Sequence, residues 1–234
     1  MFRLIQDGEA ARLTLARPEA RNAIPLAGWA ELTRLLGELG PARVLIVTGE
    51  GAFCAGADLS DFATMRAEEG AIAHFRETMR TALDALRALP IPTIALVDGP
   101  CYGAGVALAM ACDLRIAGPR ASFAITPAKI GISYPQEDVH RLVELVGPGQ
   151  AARLLFTAIA IDGAEAARIG LVELYDADPA PLVEAILAND GESLATLKRA
   201  IALSRRSDAE QDRRFDALIA GPVLAARLEA LRRK

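Results

Sequence analysis

The sequence of 234 residues has only three cysteines, no excess of positive charge and no long apolar run. Cys54, Cys101 and Cys112 stand among small residues without metal-ligand spacing, which favours buried, reduced thiols over a disulfide or a metal site. A formal net charge of −4 argues against a nucleic-acid partner. No apolar run approaches the roughly 20 residues of a membrane-spanning helix, and residues 1–8 are too short and too polar for a signal peptide. We therefore expect a cytoplasmic protein with neither a membrane partner nor a metal.

Two short β-branched apolar runs predict buried strands in an α/β fold. They cover residues 44–48 and 93–97, and each leads into a glycine-rich segment: GAFCAGADL at residues 51–59 and DGPCYGAG at residues 98–105. Ligands of open α/β sheets bind at the carboxyl ends of the strands, and glycine lets a ligand approach the backbone closely. Both segments are therefore predicted to form a site from main-chain N–H groups.

An apolar, alanine-rich run at residues 106–112 follows the second segment and predicts a helix buried on all sides. The first N–H groups of a helix have no intrahelical partner, and the positive end of its dipole favours developing negative charge. Two such loops, each presenting a free N–H, can form an oxyanion hole.

The remaining pattern predicts alternating strands and helices with a helical end. The predictions are a strand at residues 12–16, a helix at 25–39, one long amphipathic helix at 62–89, a helix at 136–146, and three helical segments beyond residue 180.

The two glycine-rich segments, together with ARPEARNA at residues 16–23 and ACDLRIA at residues 111–117, strongly resemble the enoyl-CoA hydratase/isomerase (crotonase) superfamily. The resemblance implies a spiral of repeated ββα units, with the core at residues 1–178. It implies that a C-terminal helical region at residues 179–234 covers the site and packs in a homotrimer or hexamer. It also implies an acyl-CoA substrate, with coenzyme A as part of the substrate and no separate cofactor.

Carried over position by position, the resemblance places the two backbone donors at Ala57 and Ala104, where they would hold the thioester carbonyl and stabilise its enolate. Arg17 and Arg21 lie near the position that contacts CoA in the superfamily. The alternative is that both are solvated loop arginines that bind no ligand. Asp58 is also predicted to fix its loop by accepting backbone hydrogen bonds. The positions assigned to substrate binding are Arg21, Ala23, Ala55, Asp58, Leu59, Gly103, Gly105 and Pro127.

The sequence departs from the hydratases of this superfamily, which use two glutamates to add water. Ala107 and Ala128 stand at those two positions. An alanine cannot transfer a proton, so hydration by the two-glutamate route should be very slow. Loss of CO₂ from an α-carboxylate forms an enolate without a base, and decarboxylation therefore fits the remaining residues.

Thr126, Pro127, Gly131 and Tyr134 resemble the methylmalonyl-CoA decarboxylase branch of the superfamily. The resemblance places Tyr134 near the substrate carboxylate, which a neutral hydroxyl could orient, with Thr126 assisting. The alternative is a tyrosine that only anchors a loop or caps a helix.

Glu137 is the rival candidate for acid–base work, because burial could raise the pKa of its carboxyl group towards neutrality. Acidic residues are also favoured in the first turn of a helix, which is the structural alternative. His140 and His74 are weaker candidates. Two further functions stay open: an isomerase or atypical hydratase that uses Glu137, and a catalytically silent acyl-CoA-binding subunit.

Overall fold

The computed structural model describes residues 1–65, 69–203 and 213. The strands are β1 (Phe2–Asp7), β2 (Ala10–Leu15), β3 (Val44–Gly49), β4 (Thr93–Val97), β5 (Pro100–Tyr102), β6 (Leu114–Ala117), β7 (Ser122–Ala124), β8 (Ile161–Asp162) and β9 (Leu174–Tyr175). The α-helices are α1 (Leu26–Leu36), α2 (Leu59–Met65), α3 (Ala71–Arg87), α4 (Ala104–Ala111), α5 (Gln136–Thr157), α6 (Gly163–Arg168), α7 (Ala180–Leu187) and α8 (Gly191–Ala202).

The larger sheet has six strands in the order β1-β2-β3-β4-β6-β9. Only β1 and β2 pair antiparallel; every later pair is parallel, with Val47 opposite Ala95 in the register of β3 and β4. Parallel strands that are covered on both faces read as continuous apolar runs. This is why the patterns at residues 44–48 and 93–97 predict β3 and β4 correctly.

The smaller sheet runs in the order β5-β7-β8, and a parallel bridge from Cys54 to Cys101 extends it beyond β5. The chain places β4 in the larger sheet, then β5 in the smaller sheet, then α4. It repeats this course with β6, β7 and α5. These repeats are the ββα units of a crotonase-like spiral, so the predicted α/β fold class is confirmed.

Two apolar clusters hold the layers together. The main cluster contains Trp29, Phe53 and Leu108, and every residue of α4 after Ala104 is buried within it. The second cluster lies on Val44 and Ile94 of the larger sheet together with residues of α7 and α8: Leu182, Val183, Ile186, Leu187 and Leu194. The helices α7 and α8 therefore pack against the sheet.

The helix boundaries differ most from the predictions in two places. The amphipathic pattern at 62–89 is not one helix, because residues 69–70 form a turn and α3 begins after Gly70, whose φ of 81° is left-handed. α5 extends past residue 146 to Thr157, with a break at Gly147, where φ is 75°, followed by Pro148. The last predicted helical segments lie outside the described residues. Within the described ranges, no helix is both long and apolar enough to cross a membrane.

Candidate functional site

The two glycine-rich loops lie side by side and are joined by backbone hydrogen bonds. The N–H of Cys54 donates to the carbonyl of Pro100 at 3.1 Å, and the N–H of Tyr102 donates to the carbonyl of Cys54 at 2.8 Å. The first loop follows β3 and the second follows β4, and these strands are parallel neighbours. Their carboxyl ends therefore bring the two predicted loops to one place.

The N–H of Ala57 points away from Ile24, the residue that pairs with Ala57 in an isolated parallel bridge. The N–H of Ile24 donates to Gly56 O at 2.8 Å, and the N–H of Asp58 donates to Ile24 O at 3.0 Å. Because C=O and N–H point in opposite directions across a trans peptide, the N–H of Ala57 faces away from Ile24. Among the described residues this N–H has no hydrogen-bond acceptor.

Ala104 is the first residue of α4, and its N–H has no intrahelical partner. The preceding residue, Gly103, has φ 51° and ψ −120° and donates its own N–H to Ala124 O at 2.9 Å. The N–H of Ala104 has no acceptor in the described part of the chain. It therefore adds a free donor at the positive end of the helix dipole.

Glycine lets the two loops approach each other closely at Gly56 and Gly105. A Cβ at Gly56 would lie 2.9 Å from Tyr102 O and 3.2 Å from the nitrogen of Ala104, and its φ is 107°. A Cβ at Gly105 would lie only 2.3 Å from Cys54 O. The backbone of Gly56 thus runs so close to Ala104 that a side chain would not fit between them, and the two free N–H groups belong to adjoining segments.

Asn22 ties the turn at residues 17–23 to the first loop, a role that the sequence reasoning missed. Its buried amide Nδ2 donates to Ala52 O at 2.7 Å and to Glu50 O at 3.2 Å. Its Oδ1 accepts the N–H of Arg17 at 2.8 Å, and its φ of 57° is left-handed. An asparagine between arginine and alanine in a turn is the signal that could have found it, since asparagine tolerates this conformation and bonds to backbone.

Asp58 fixes its loop, as predicted. Arg17 Nη1 donates to its Oδ2 at 2.6 Å, while its Oδ1 accepts from the N–H and the hydroxyl of Ser60. These bonds, Arg17 first, hold the pKa of the Asp58 carboxyl below its ordinary value of 3.8. Arg17 is therefore engaged within the protein, whereas Arg21 is exposed to solvent.

Tyr134 reaches the second loop. Its hydroxyl donates to Gly103 O at 3.0 Å, and its side chain is 8% exposed. Burial, followed by the nearby carboxylate of Asp138, raises the pKa of Tyr134 well above its ordinary value, so the hydroxyl is neutral. Thr126 also borders this point, because its Oγ1 lies 3.6 Å from where a Gly103 Cβ would stand.

Glu137 lies at the surface, and the burial that would favour its use as a base is not observed. Its side chain is 64% exposed and pairs with Arg80 Nη1 at 2.8 Å. The same arginine bonds the buried carboxylate of Asp138 at 2.6 Å. Glu137 lines a cleft of about 300 Å³ with Asp84, Arg87, His140, Arg141 and Glu144. Glu137 and His140 therefore line this cleft, whereas Tyr134 lines a different one.

An apolar groove of about 530 Å³ lies on the Tyr134 side. It includes Ala128, at a position that the resemblance assigns to a hydratase glutamate, while Ala107 is 2% exposed within α4. The described lining residues carry no charged side chain: Ile125, Pro127, Ala128, Gly131, Ile132, Ser133, Tyr134, Val139, Leu155 and Phe156.

The three cysteines are buried and free, as predicted. Burial raises the pKa of the Cys54 thiol to about 12, so this thiol stays protonated next to the first loop. In the described part of the chain, no group of three or more His, Cys, Asp or Glu residues could hold a metal ion.

Comparisons with known proteins agree with the fold and the loops. A family model described as enoyl-CoA hydratase/isomerase matches residues 6–215. The short-chain-enoyl-CoA hydratase of Clostridium acetobutylicum is 34% identical over 209 residues, which cover 87% of this chain and 79% of that protein. A solved structure of a Hyphomonas neptunium protein assigned to the enoyl-CoA hydratase/isomerase family has a TM-score of 0.92 and 34% identity, covering 98% of this chain and 94% of that chain.

A second solved structure, described as an enoyl-CoA hydratase from Thermobifida fusca in complex with CoA, has a TM-score of 0.81 and 32% identity. It covers 100% of this chain and 95% of that chain. The chain therefore belongs to the enoyl-CoA hydratase/isomerase family of the crotonase superfamily. Within that family, Ala107 and Ala128 leave no carboxylate at the two positions that the hydratase resemblance assigns to glutamate.

Proposed function

We propose that this protein binds an acyl-CoA and stabilises the enolate of its thioester between the N–H groups of Ala57 and Ala104. The observation that carries the proposal is the pair of free N–H groups on adjoining loops, with Gly56 against the nitrogen of Ala104. The relative crystallised with CoA supports this class of ligand.

The expected gain from this arrangement is large. Loss of one donor from an oxyanion hole typically lowers kcat by about 10²- to 10³-fold, which corresponds to roughly 2.7–4 kcal/mol. Two fixed donors can therefore provide most of the stabilisation that a thioester enolate needs.

The reaction that we propose is decarboxylation of a short 2-carboxyacyl-CoA. The bond from the α-carbon to the carboxylate breaks, CO₂ leaves, and the electron pair passes to the thioester oxygen as an enolate. The α-carbon then takes a proton from solvent. No base is needed to form the enolate, which fits Ala107 and Ala128 and the pairing of Glu137 with Arg80.

The apolar groove beside Tyr134 supports this reaction. Its described lining carries no charge, so a carboxylate placed there would lose hydration without gaining an ion pair, which is costly. Loss of CO₂ relieves that cost while the charge moves to the oxygen held by Ala57 and Ala104.

The decisive experiment is to incubate the protein with methylmalonyl-, ethylmalonyl-, crotonyl- and 3-enoyl-CoA and to identify the products by mass spectrometry. We expect the product of one or both carboxylated substrates to be lighter by the mass of one CO₂. Hydration or isomerisation with no decarboxylation would contradict the proposal. In that case Glu137→Gln tests the isomerase or hydratase alternative. Binding of every acyl-CoA with no turnover would identify a silent acyl-CoA-binding subunit.

We also propose that the protein is a homotrimer or hexamer. Two large apolar side chains that line the groove are open to solvent in the single chain, namely Phe156 at 83% and Ile132 at 41% exposed. Contiguous exposed apolar surface of this kind is typical of contacts between subunits. Light scattering after size-exclusion chromatography tests this, and a monomer at micromolar concentration would contradict it.

A further inference from the structure

We infer that Tyr134 acts through the backbone: its hydroxyl polarises the Gly103–Ala104 peptide and so strengthens the Ala104 N–H as a donor to the substrate oxygen. This inference rests on the proposed function of that N–H. It gives Tyr134 the role of a positioning residue, in place of a direct contact with a substrate carboxylate.

The carbonyl oxygen of Gly103 and the N–H of Ala104 belong to the same peptide group. Tyr134 donates to that oxygen at 3.0 Å, although the two residues are 31 positions apart in the sequence. A hydrogen bond to an amide oxygen draws electron density away from the amide nitrogen and makes its N–H a better donor. The hydroxyl thus stands one peptide away from the proposed oxyanion.

The Tyr134 hydroxyl contacts the first turn of α4 through Gly103, the N-cap residue of that helix. The carbonyl of Gly103 accepts the N–H of Val106 at 3.0 Å, but the N–H of Ala107 lies at a longer 3.5 Å. The Tyr134 hydroxyl therefore shares this carbonyl oxygen with the first intrahelical hydrogen bonds of α4, at the end of the helix where Ala104 presents its N–H.

A tyrosine hydroxyl has one proton, and here the carbonyl of Gly103 holds it. Tyr134 is buried, and the hydroxyl is neutral, so it has no second proton to offer a substrate carboxylate. The segment that follows is also anchored, because Asp138 pairs with Arg80 at 2.6 Å and ties the start of α5 to α3. We therefore expect the same contact with every bound acyl group.

The two possible roles of Tyr134 predict effects on different sets of substrates. A hydroxyl that orients a carboxylate affects only carboxylated substrates. A hydroxyl that polarises the Gly103–Ala104 peptide affects the thioester oxygen of every acyl-CoA, including saturated ones that cannot react.

The test is the infrared stretch of a ¹³C-labelled thioester carbonyl in bound butyryl-CoA. Binding to two strong donors lowers this frequency in the wild-type protein. Tyr134→Phe keeps the ring and removes the hydroxyl, so we expect a smaller shift with little change in affinity. Tyr175→Phe is the matched control, since Tyr175 lies on β9 away from both loops and is 42% exposed; it should keep the wild-type shift.

For any substrate that the protein turns over, Tyr134→Phe should lower kcat by about 2- to 8-fold and leave KM unchanged. The range assumes that loss of one oxyanion donor lowers kcat by about 10²- to 10³-fold. It assigns about 10–30% of that effect, on a logarithmic scale, to the hydrogen bond from Tyr134. A second variant avoids any loss of packing: 3,5-difluorotyrosine at position 134 is a stronger donor of nearly the same shape, and it should increase the frequency shift.

The outcomes separate the inference from the proposed function. No shift in the wild-type protein means that the thioester is not held by the two N–H groups, and the proposed function fails. A wild-type shift that neither Tyr134 variant changes overturns the inference alone. An unchanged shift with butyryl-CoA, combined with weaker binding of methylmalonyl-CoA, assigns Tyr134 to the carboxylate and also overturns it.

Discussion

The two loops that meet at the candidate site are held in place by different forces. The first loop is fixed by polar groups, namely the buried amide of Asn22 and the partly buried ion pair of Arg17 with Asp58. The second loop is fixed by the fully buried helix α4 and by the Tyr134 hydroxyl. Polar fixation depends on hydrogen bonds and pH, whereas fixation by packing depends on volume. The first loop should therefore respond to changes in hydrogen bonding and pH, and the second loop to changes in side-chain volume. Substitutions can test the two responses separately.

The largest expected effect is on the packed side. Leu108→Ala removes a side chain of α4 that is 0% exposed, so we expect a loss of about 2–5 kcal/mol in the free energy of unfolding from lost burial and the cavity. Urea denaturation measures it. Leu59→Ala, at the end of the first loop and 59% exposed, is the control and should cost far less. Equal losses would contradict the contrast between the loops.

The contact between the loops is tested by Gly105→Ala. The new Cβ would lie 2.3 Å from Cys54 O, so the loops must separate, at a cost of about 1–3 kcal/mol typical of overpacking. If one donor is displaced, kcat should also fall by about 10²-fold. Gly149→Ala is the matched control in α5, where a Cβ meets nothing within 4 Å. In steady-state kinetics and denaturation, that variant should keep the wild-type kcat and lose no stability.

On the polar side, Asn22→Ala removes three hydrogen bonds and leaves buried backbone groups without partners. We expect a loss of about 1–3 kcal/mol in the free energy of unfolding, together with weaker acyl-CoA binding. Asn189→Ala removes only an exposed amide bond to Ala185 O and should be close to neutral. A neutral Asn22→Ala would show that packing alone holds the first loop.

The smallest expected effect is that of the Arg17–Asp58 pair. The pKa of Asp58 is lowered in the folded protein, so its contribution is complete above the ordinary value of 3.8 and is lost as the pH falls through the lower folded value. Asp58→Asn should therefore cost about 0–1 kcal/mol at pH 7 and less at pH 2. Denaturation at the two pH values measures this difference, and a cost that stays the same would contradict it.

Much of the fold follows from local pattern. Residues 44–48 and 93–97 predict β3 and β4 because strands buried on both faces must be apolar throughout. The prediction of one helix at 62–89 was wrong because the hydrophobic spacing continues across Gly70. The left-handed backbone of that glycine interrupts the helix, and α3 begins after it. Asn22 was missed because its partners Glu50 and Ala52 are about 30 positions away.

The sequence by itself determined the fold class, the two glycine-rich loops and the absence of carboxylates at positions 107 and 128. These features depend on residue type and on periodicity along the chain. Only the tertiary structure decided that Tyr134 turns to Gly103 while Glu137, three residues later, pairs with Arg80 at the surface. The physical reason is that the direction of a side chain depends on where the helix start is docked and which distant groups can satisfy its polar atoms. Partners 31 and 57 positions away leave no local pattern.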